Sequence, residues 1–112
     1  MFAMRLDNIT VKNDYYSREV FHCPRYCQVV VMSLRPEESI PESVDPHVCK
    51  FIYVVSGKGI AHVQKGDEPK ARKHLIAGMS VIIYPGAKFR ILNNGNKPLK
   101  LFINNVISPH SH

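Results

Sequence analysis

The feature that most constrains the fold of this 112-residue chain is its series of short segments in which apolar residues recur at every second position. A period of two is typical of strands, and Val, Ile, Phe and Tyr favour a pleated sheet. The pattern predicts strands at residues 27–34, 50–55, 59–63, 80–84, 88–92 and 99–106, with weaker ones near 8–11, 19–22, 39–44 and 74–76. Turn residues, such as those at 85–86 and 93–98, separate these segments. So many short strands predict a sandwich or closed barrel, because these architectures hide strand edges.

Length and composition predict one globular domain. A chain of 112 residues has material for one modest core, and 45% hydrophobic with 21% charged residues is ordinary for a globular protein. No apolar run approaches the roughly 20 residues that span a bilayer. The N-terminal residues mix Arg5, Asp7 and Lys12 into short apolar stretches, unlike a secretory signal. We therefore expect a single cytoplasmic domain over 1–112, with an N-terminal strand segment at 1–26, a barrel core at 27–106 and a C-terminal tail at 107–112.

The cysteines and the charges indicate no specialised chemistry. Cys23, Cys27 and Cys49 are odd in number, so we interpret them as packed or partly exposed thiols and not as a disulfide framework. The net charge of +6 arises from 15 Lys and Arg that are scattered along the chain. The densest basic group, at residues 65–73, also contains Asp67 and Glu68, which favours a solvated loop. We therefore expect neither nucleic-acid binding nor membrane association.

Two stretches of the chain keep the spacing of a pair of known sequence motifs. The first motif is Gly, five residues, His-x-His, three or four residues, Glu, six residues, Gly, and it fits the stretch that ends at Gly57. The second is Gly, five residues, Pro-x-Gly, two residues, His, three residues, Asn, which fits Gly78, Gly86 and Asn93. With the flanking segments 28–36, 51–59 and 97–102, these stretches resemble the small single-domain cupins, many of them labelled mannose-6-phosphate isomerase-like. The resemblance covers about residues 8–109 and implies an all-β cupin double-stranded β-helix, or jelly-roll barrel.

The resemblance also implies a metal site, yet the four positions that would supply its ligands carry other residues. They are Ser43 and Asp45 at the two positions of His-x-His, Lys50 at the Glu or Gln position, and Phe89 at the last His position. Alternate strand positions face one side, so the family pattern gathers its donors inside the barrel. One Asp is a poor site for a divalent transition metal, and a phenyl ring has no donor atom. We therefore expect degenerate metal motifs, with neither a metal nor another cofactor.

Lys50 is the candidate to replace the positive charge of the metal. We hypothesise that it pairs with Asp45 and hydrogen-bonds to Ser43, while Phe89 fills the volume of a lost ligand. Burying such an ion pair costs desolvation free energy. Two alternatives stay open, a reactive amine with a lowered pKa and a side chain whose ammonium reaches solvent. The same strand parity predicts a pocket lined by Ile52, Val54, Val81, Ile83 and Ile91.

A shifted metal site is the alternative to a metal-free pocket. Asp45, His47 and Cys49 together offer a carboxylate, an imidazole and a thiolate to a divalent transition metal. Against this alternative, Pro46 and the turn after Asp45 should end the strand and place His47 at the rim of the barrel.

The second face of the segment 50–55 is apolar as well. It carries Phe51, Tyr53 and Val55, and a strand that is apolar on both faces is covered on both. We expect either a layer from the N-terminal strands or a homodimer partner, and dimers are common in the resembled family.

Three functions remain at this point. The loss of all four ligands favours a metal-free cupin that binds a small organic ligand or dimerises without catalysis. The family resemblance alone supports a metal-dependent enzyme, such as a sugar-phosphate isomerase or a small oxygenase. The third function is a metal-free enzyme in which Lys50, Asp45, Tyr53 or Tyr84 acts as acid or base.

Overall fold

The computed structural model describes residue 1 and residues 3–107, which form nine strands and one short helix. The elements are α1 (Leu6–Lys12), β1 (Ser17–Cys23), β2 (Cys27–Leu34), β3 (Ser39–Val44), β4 (Val48–Ser56), β5 (Lys58–Gln64), β6 (Ala71–Ile76), β7 (Ser80–Ile83), β8 (Lys88–Leu92) and β9 (Leu99–Ile107). Each of the six strongly alternating segments is a strand, as predicted. Residues 108–112, which make up most of the predicted tail, lie outside the described residues.

The strands form two antiparallel sheets. The larger sheet has the order β1-β2-β9-β4-β7, and the smaller sheet has the order β3-β8-β5-β6. Strands that are distant in sequence, such as β2 and β9, are hydrogen-bonded neighbours, which is the connectivity of a jelly roll. This arrangement confirms the predicted all-β jelly-roll class.

The hydrophobic core lies between the inner faces of the two sheets. Ile52 and Val54 of β4, Leu101 of β9, Ile91 of β8 and Leu75 of β6 are all fully buried and belong to one cluster. Full burial of one such side chain contributes about 1.5–3 kcal/mol. The inner position that precedes Ile52 on β4 is that of Lys50, so the core ends in polar groups at this end of the sheet.

Two residues of the spaced motifs have structural roles. Gly57 has a φ of +90°, and a Cβ at this position would lie 2.5 Å from the carbonyl oxygen of Pro98, so only glycine fits. Asn93 is fully buried, and its Nδ2 donates to the carbonyl oxygens of Leu34 and Lys97 over 2.9 and 2.8 Å. Its Oδ1 accepts from the backbone N–H of Gly95 over 2.9 Å. Both residues therefore stabilise the ends of strands and do not contribute to a chemical site.

The prediction of a strand near residues 8–11 is wrong, because these residues lie in α1. The buried Thr10 hydroxyl donates to the carbonyl oxygen of Leu6 one turn earlier, over 2.5 Å. The helix packs on β2, β4 and β9 of the larger sheet, and this packing supplies stability that seven residues lack alone. A helix, and not the expected strand layer, therefore contacts this sheet. In the described part of the chain, no helix has the length and apolar content needed to cross a membrane.

Candidate functional site

A cleft of about 320 Å³ opens where the core of the larger sheet ends. Strands β1, β2, β4 and β9 and the β3–β4 turn contribute to it. Its lining residues are His22, Cys27, Gln28, Asp45, Val48, Lys50, Asn105 and Ile107. The cleft therefore contains two of the four predicted site positions, Asp45 and Lys50.

Strand register places four polar side chains of this cleft in one row across the larger sheet. Lys50 of β4 is the Cα partner of Asn105 on β9, which is the partner of Gln28 on β2, which is the partner of His22 on β1. Direct cross-strand partners point to the same face of a sheet, here the face of Ile52 and the core. The inward-facing row of the larger sheet is therefore polar at this end of the sandwich, whereas the rows nearer its centre are apolar.

Hydrogen bonds connect this row into a chain. The ammonium Nζ of Lys50 donates to Oδ1 of Asn105 over 2.8 Å, and Nδ2 of Asn105 donates to Oε1 of Gln28 over 3.1 Å. The Nε2 of Gln28 in turn donates to Oε2 of the Glu19 carboxylate. The other carboxylate oxygen of Glu19, Oε1, lies 3.9 Å from Nδ1 of His22. The two amides are each oriented by a partner on either side, so the Lys50 ammonium has a fixed acceptor.

Lys50 is partly buried among these groups. Burial lowers the pKa of its ammonium from the ordinary 10.5, and the negative charge of Asp45 opposes that shift. Its Nζ also lies 5.8 Å from the centroid of the Phe89 ring, within the range of a cation–π contact. Phe89 thus contacts the Lys50 ammonium and is itself buried.

The predicted salt bridge between Lys50 and Asp45 is wrong. Among the described residues, the ion pairs within 4.0 Å do not include these two side chains. Oδ1 of Asp45 instead accepts from the backbone N–H of His47 over 3.0 Å, which holds the carboxylate in the turn after β3. Ser43 is exposed and is the cross-strand partner of Phe89, and it does not bond to Lys50.

The residues of this site do not fit a metal ion. Within residue 1 and residues 3–107, no three His, Cys, Asp or Glu side chains come together in a geometry that holds one. Asp45, His47 and Cys49, the alternative ligand set, are thus not gathered into such a group. His47 is exposed beyond the end of β3, as the turn at Pro46 predicts, and Cys49 has the opposite strand parity to Lys50 and faces away from the cleft.

The five apolar residues predicted to line the pocket occupy the core instead of the cleft. Four of them are buried, and the fifth, Val81, packs against them. The four are Ile52, Val54, Ile83 and Ile91. They fill the volume in which the sequence places a pocket, so the cleft lies at the end of the sandwich beyond these residues.

The two candidate tyrosines lie outside the cleft. Tyr53 packs its ring 5.7 Å from that of Phe102 on the outer face of the larger sheet. Tyr84 is 60% exposed and lies next to Lys65. Neither contacts the polar row, so neither is placed to transfer a proton to a ligand beside Lys50.

Sequence reasoning missed His22, Gln28 and Asn105. The signal for Asn105 was its parity, because it follows the buried Leu99, Leu101 and Ile103 at the next inner position of β9. A polar residue that continues an apolar face marks the place where that face meets solvent or a site. Only the strand order shows that Asn105 and Gln28 extend the row of Lys50.

The fold and the cleft define a small jelly-roll protein whose interior site opens at one end of the sandwich. Residues 30–104 match the cupin domain family, and the chain belongs to that family. It is 32% identical over its whole length to an uncharacterized protein of Acanthamoeba polyphaga mimivirus, of which it spans 68%. It is 26% identical to the uncharacterized protein YrkC of Bacillus subtilis strain 168 over 99% of the chain, and it spans 59% of that protein.

Solved structures show the same fold. The crystal structure of BH2720 from Bacillus halodurans superimposes with a TM-score of 0.89 at 25% identity, over 99% of this chain and 84% of that one. The cupin domain of Schizosaccharomyces pombe Cnp3 superimposes with a TM-score of 0.71 at 14% identity, over 82% of this chain and 60% of that one. At 14% identity, the similarity to the Cnp3 cupin domain concerns the fold alone.

Proposed function

We propose that this cupin binds a small organic carboxylate at the Lys50 cleft and does so without a metal ion. The observation that carries this proposal is the ammonium of Lys50, which is partly buried and bonded to the neutral acceptor Asn105. A partly desolvated charge without a counter-ion in contact is stabilised by an anion that enters the cleft.

The composition of the cleft favours a monoanion. Asp45 lines the same cleft, and its negative charge reduces the positive potential that a phosphate dianion would need. The ammonium carries three donors, of which one serves Asn105, so donors remain for a carboxylate. Val48 and Ile107 supply apolar walls for a short carbon chain. About 320 Å³ is at the lower end of the range of ligand pockets, which favours a ligand of a few carbon atoms.

The degenerate motifs support the same proposal. Ser43, Asp45, Lys50 and Phe89 occupy the four ligand positions of the cupin motifs, and the positive charge of Lys50 takes the place of the metal charge. In this proposal the domain spans residues 1–112, acts in the cytoplasm and binds its ligand without transforming it. Metal analysis of the purified protein by mass spectrometry should give well below one transition metal per chain. A stoichiometric metal that is lost on replacing Asp45 would contradict the proposal.

Ligand titration tests the site directly. Acetate, propionate and lactate should each raise the melting temperature progressively with ligand concentration, because a ligand of the folded state stabilises it by mass action. Lys50→Met should abolish this shift, Lys50→Arg should keep it, and the exposed Lys97→Met should behave like the wild type. An equal response of the Lys50→Met variant and the wild type would contradict a Lys50 site. A response that requires added metal would contradict the metal-free mode.

A specific observation also favours a second role, formation of a homodimer through the outer face of the larger sheet. The rings of Phe51 and Phe102 pack on this face in a tilted arrangement with centroids 6.0 Å apart, and Ile82 and Val106 beside them are 44% and 41% exposed. Oδ1 of Asn104 is buried there without a hydrogen-bond partner in the described residues. A contiguous apolar patch of this kind is typical of an interface, and a second copy offers the same apolar chemistry.

Sedimentation equilibrium tests the dimer. Ile82→Glu and Val106→Glu change exposed positions of this face and should convert a dimer into a monomer. Ile76→Glu is the matched control, because Ile76 is 60% exposed and lies on the smaller sheet. A wild-type protein that remains monomeric at high concentration, or a dimer that only the control disrupts, would contradict this role.

A further inference from the structure

The outer face of the smaller sheet collects basic side chains that the Lys50 cleft does not use. Strand register aligns Arg90 of β8, His62 of β5 and Arg72 of β6 in one row, since His62 is the Cα partner of both arginines. In the adjacent row Lys88 of β8 is the partner of Gln64 on β5. These residues alternate with inward-facing core residues such as Ile91, so they share the outer face.

A groove of about 210 Å³ lies over these two rows. Its walls are formed by Glu42, His62, Gln64, Lys70, Lys88, Phe89 and Arg90. The groove thus has three cationic side chains, two Lys and one Arg, together with one imidazole and a single carboxylate. That carboxylate, Glu42, lies 4.0 Å from the ammonium of Lys70, and both side chains are half exposed, so the pair is weak.

The remaining cations of the groove have no counter-ion within 4.0 Å among residue 1 and residues 3–107. In the part of the chain that the structure describes, neither Lys88 nor Arg90 lies within 4.0 Å of a carboxylate. Nδ1 of His62 is buried at the centre of the row and has no hydrogen-bond partner there. Like charges on neighbouring strands repel each other, and a buried ring nitrogen without a partner loses its hydration. An anion in the groove relieves both costs at once.

We infer that this groove binds the phosphate group of a small phosphorylated compound. The planar guanidinium of Arg90 matches two phosphate oxygens at once, and Lys88 and Lys70 add point charges beside it. Three cations and one carboxylate give the groove a net positive charge that suits a dianion. The Lys50 cleft has a single ammonium and therefore suits a monoanion. The groove holds one phosphate group and a few further atoms. A nucleic-acid strand would have to extend past Glu42 and the acidic pair Asp67 and Glu68 of the β5–β6 loop.

Calorimetric titration with pyrophosphate, at constant ionic strength set with chloride, tests this inference. The wild type should bind pyrophosphate saturably, and the double variant Lys88→Gln/Arg90→Gln should bind it about tenfold more weakly, because charge-assisted hydrogen bonds are lost. The control Lys12→Gln/Lys97→Gln removes the same charge at exposed positions away from the groove and should leave affinity unchanged. Lys50→Met should also leave it unchanged, which separates this groove from the cleft.

A gain of affinity provides a second test that does not depend on a loss of function. Glu42→Gln removes the carboxylate that competes for Lys70 and should tighten pyrophosphate binding by about threefold. The inference fails if pyrophosphate gives no saturable heat or if the control variant loses as much affinity as the groove variant. It also fails if a single-stranded oligothymidylate binds while pyrophosphate does not, since the surface would then be a nucleic-acid site.

Discussion

The hydrogen bond between Lys50 and Asn105 can be measured against the salt bridge that the sequence predicts. Two double-mutant cycles separate them, one with Lys50→Met and Asn105→Ala, the other with Lys50→Met and Asp45→Ala. Each cycle isolates the coupling free energy of one pair, because the separate effects of the single changes cancel. Asn105→Ala also removes the hydrogen bond to Gln28. Because this loss occurs both with Lys50 and with Lys50→Met, it cancels from the coupling free energy of the first cycle.

The structure sets the expected magnitudes. A hydrogen bond from a charged donor contributes about 1.5–3 kcal/mol, so the 2.8 Å bond between Nζ of Lys50 and Oδ1 of Asn105 should give a coupling of about 2 kcal/mol at neutral pH. Asp45 acts on Lys50 only through space, so its coupling should stay below about 1 kcal/mol. Urea denaturation followed by circular dichroism measures the free energy of unfolding of each variant. Coupling with Asp45 equal to or larger than that with Asn105 would refute this assignment.

The pH dependence gives an independent measure of the same group. Because burial lowers the pKa of Lys50 in the fold, the unfolded chain binds more protons between that lowered pKa and about 10.5. The free energy of unfolding therefore rises with pH across this alkaline window. Below the window, the destabilising cost of burying the charged Lys50 ammonium is fully present. Subtracting the curve of Lys50→Met isolates this contribution. A difference that falls with increasing pH would show that the pKa of Lys50 is raised.

Three further variants test the fold around the site. Asn93→Ala removes three hydrogen bonds of a buried side chain and should lower the free energy of unfolding by about 2–4 kcal/mol in urea denaturation; a loss below about 1 kcal/mol would contradict their role. Gly57→Ala places a Cβ 2.5 Å from the Pro98 carbonyl and should destabilise by more than Gly66→Ala, whose Cβ meets nothing within 4 Å, and equal melting temperatures would argue against this clash. Ile91→Ala should cost about 2–5 kcal/mol in the same denaturation assay, and a smaller cost would indicate that the core relaxes around the cavity.

Most of the fold follows from the alternation of apolar residues. The apolar segments at residues 27–34 and 99–106 correspond to β2 and β9, and the weaker segment at 39–44 corresponds to β3. The failure at residues 8–11 has a simple cause. A window of four residues fits both a strand and a helical turn, and packing of α1 on the larger sheet decides between them.

The sequence by itself determined which residues of a strand share one face. Parity along one strand places Lys50 on the same face as Ile52 and Val54, and this holds for any register, because side chains alternate with a period of two. That positions 43, 45, 50 and 89 carry Ser, Asp, Lys and Phe is likewise visible without coordinates.

Only the tertiary structure decided which group Lys50 contacts. Asp45 is five positions away in sequence but is held in a turn by the N–H of His47, whereas Asn105 is 55 positions away and lies directly opposite on β9. Cross-strand neighbours depend on strand order and register, which packing of the whole core fixes and no local pattern encodes. The same reason applies to the basic rows of the outer groove, since β8, β5 and β6 become neighbours only in the folded sheet.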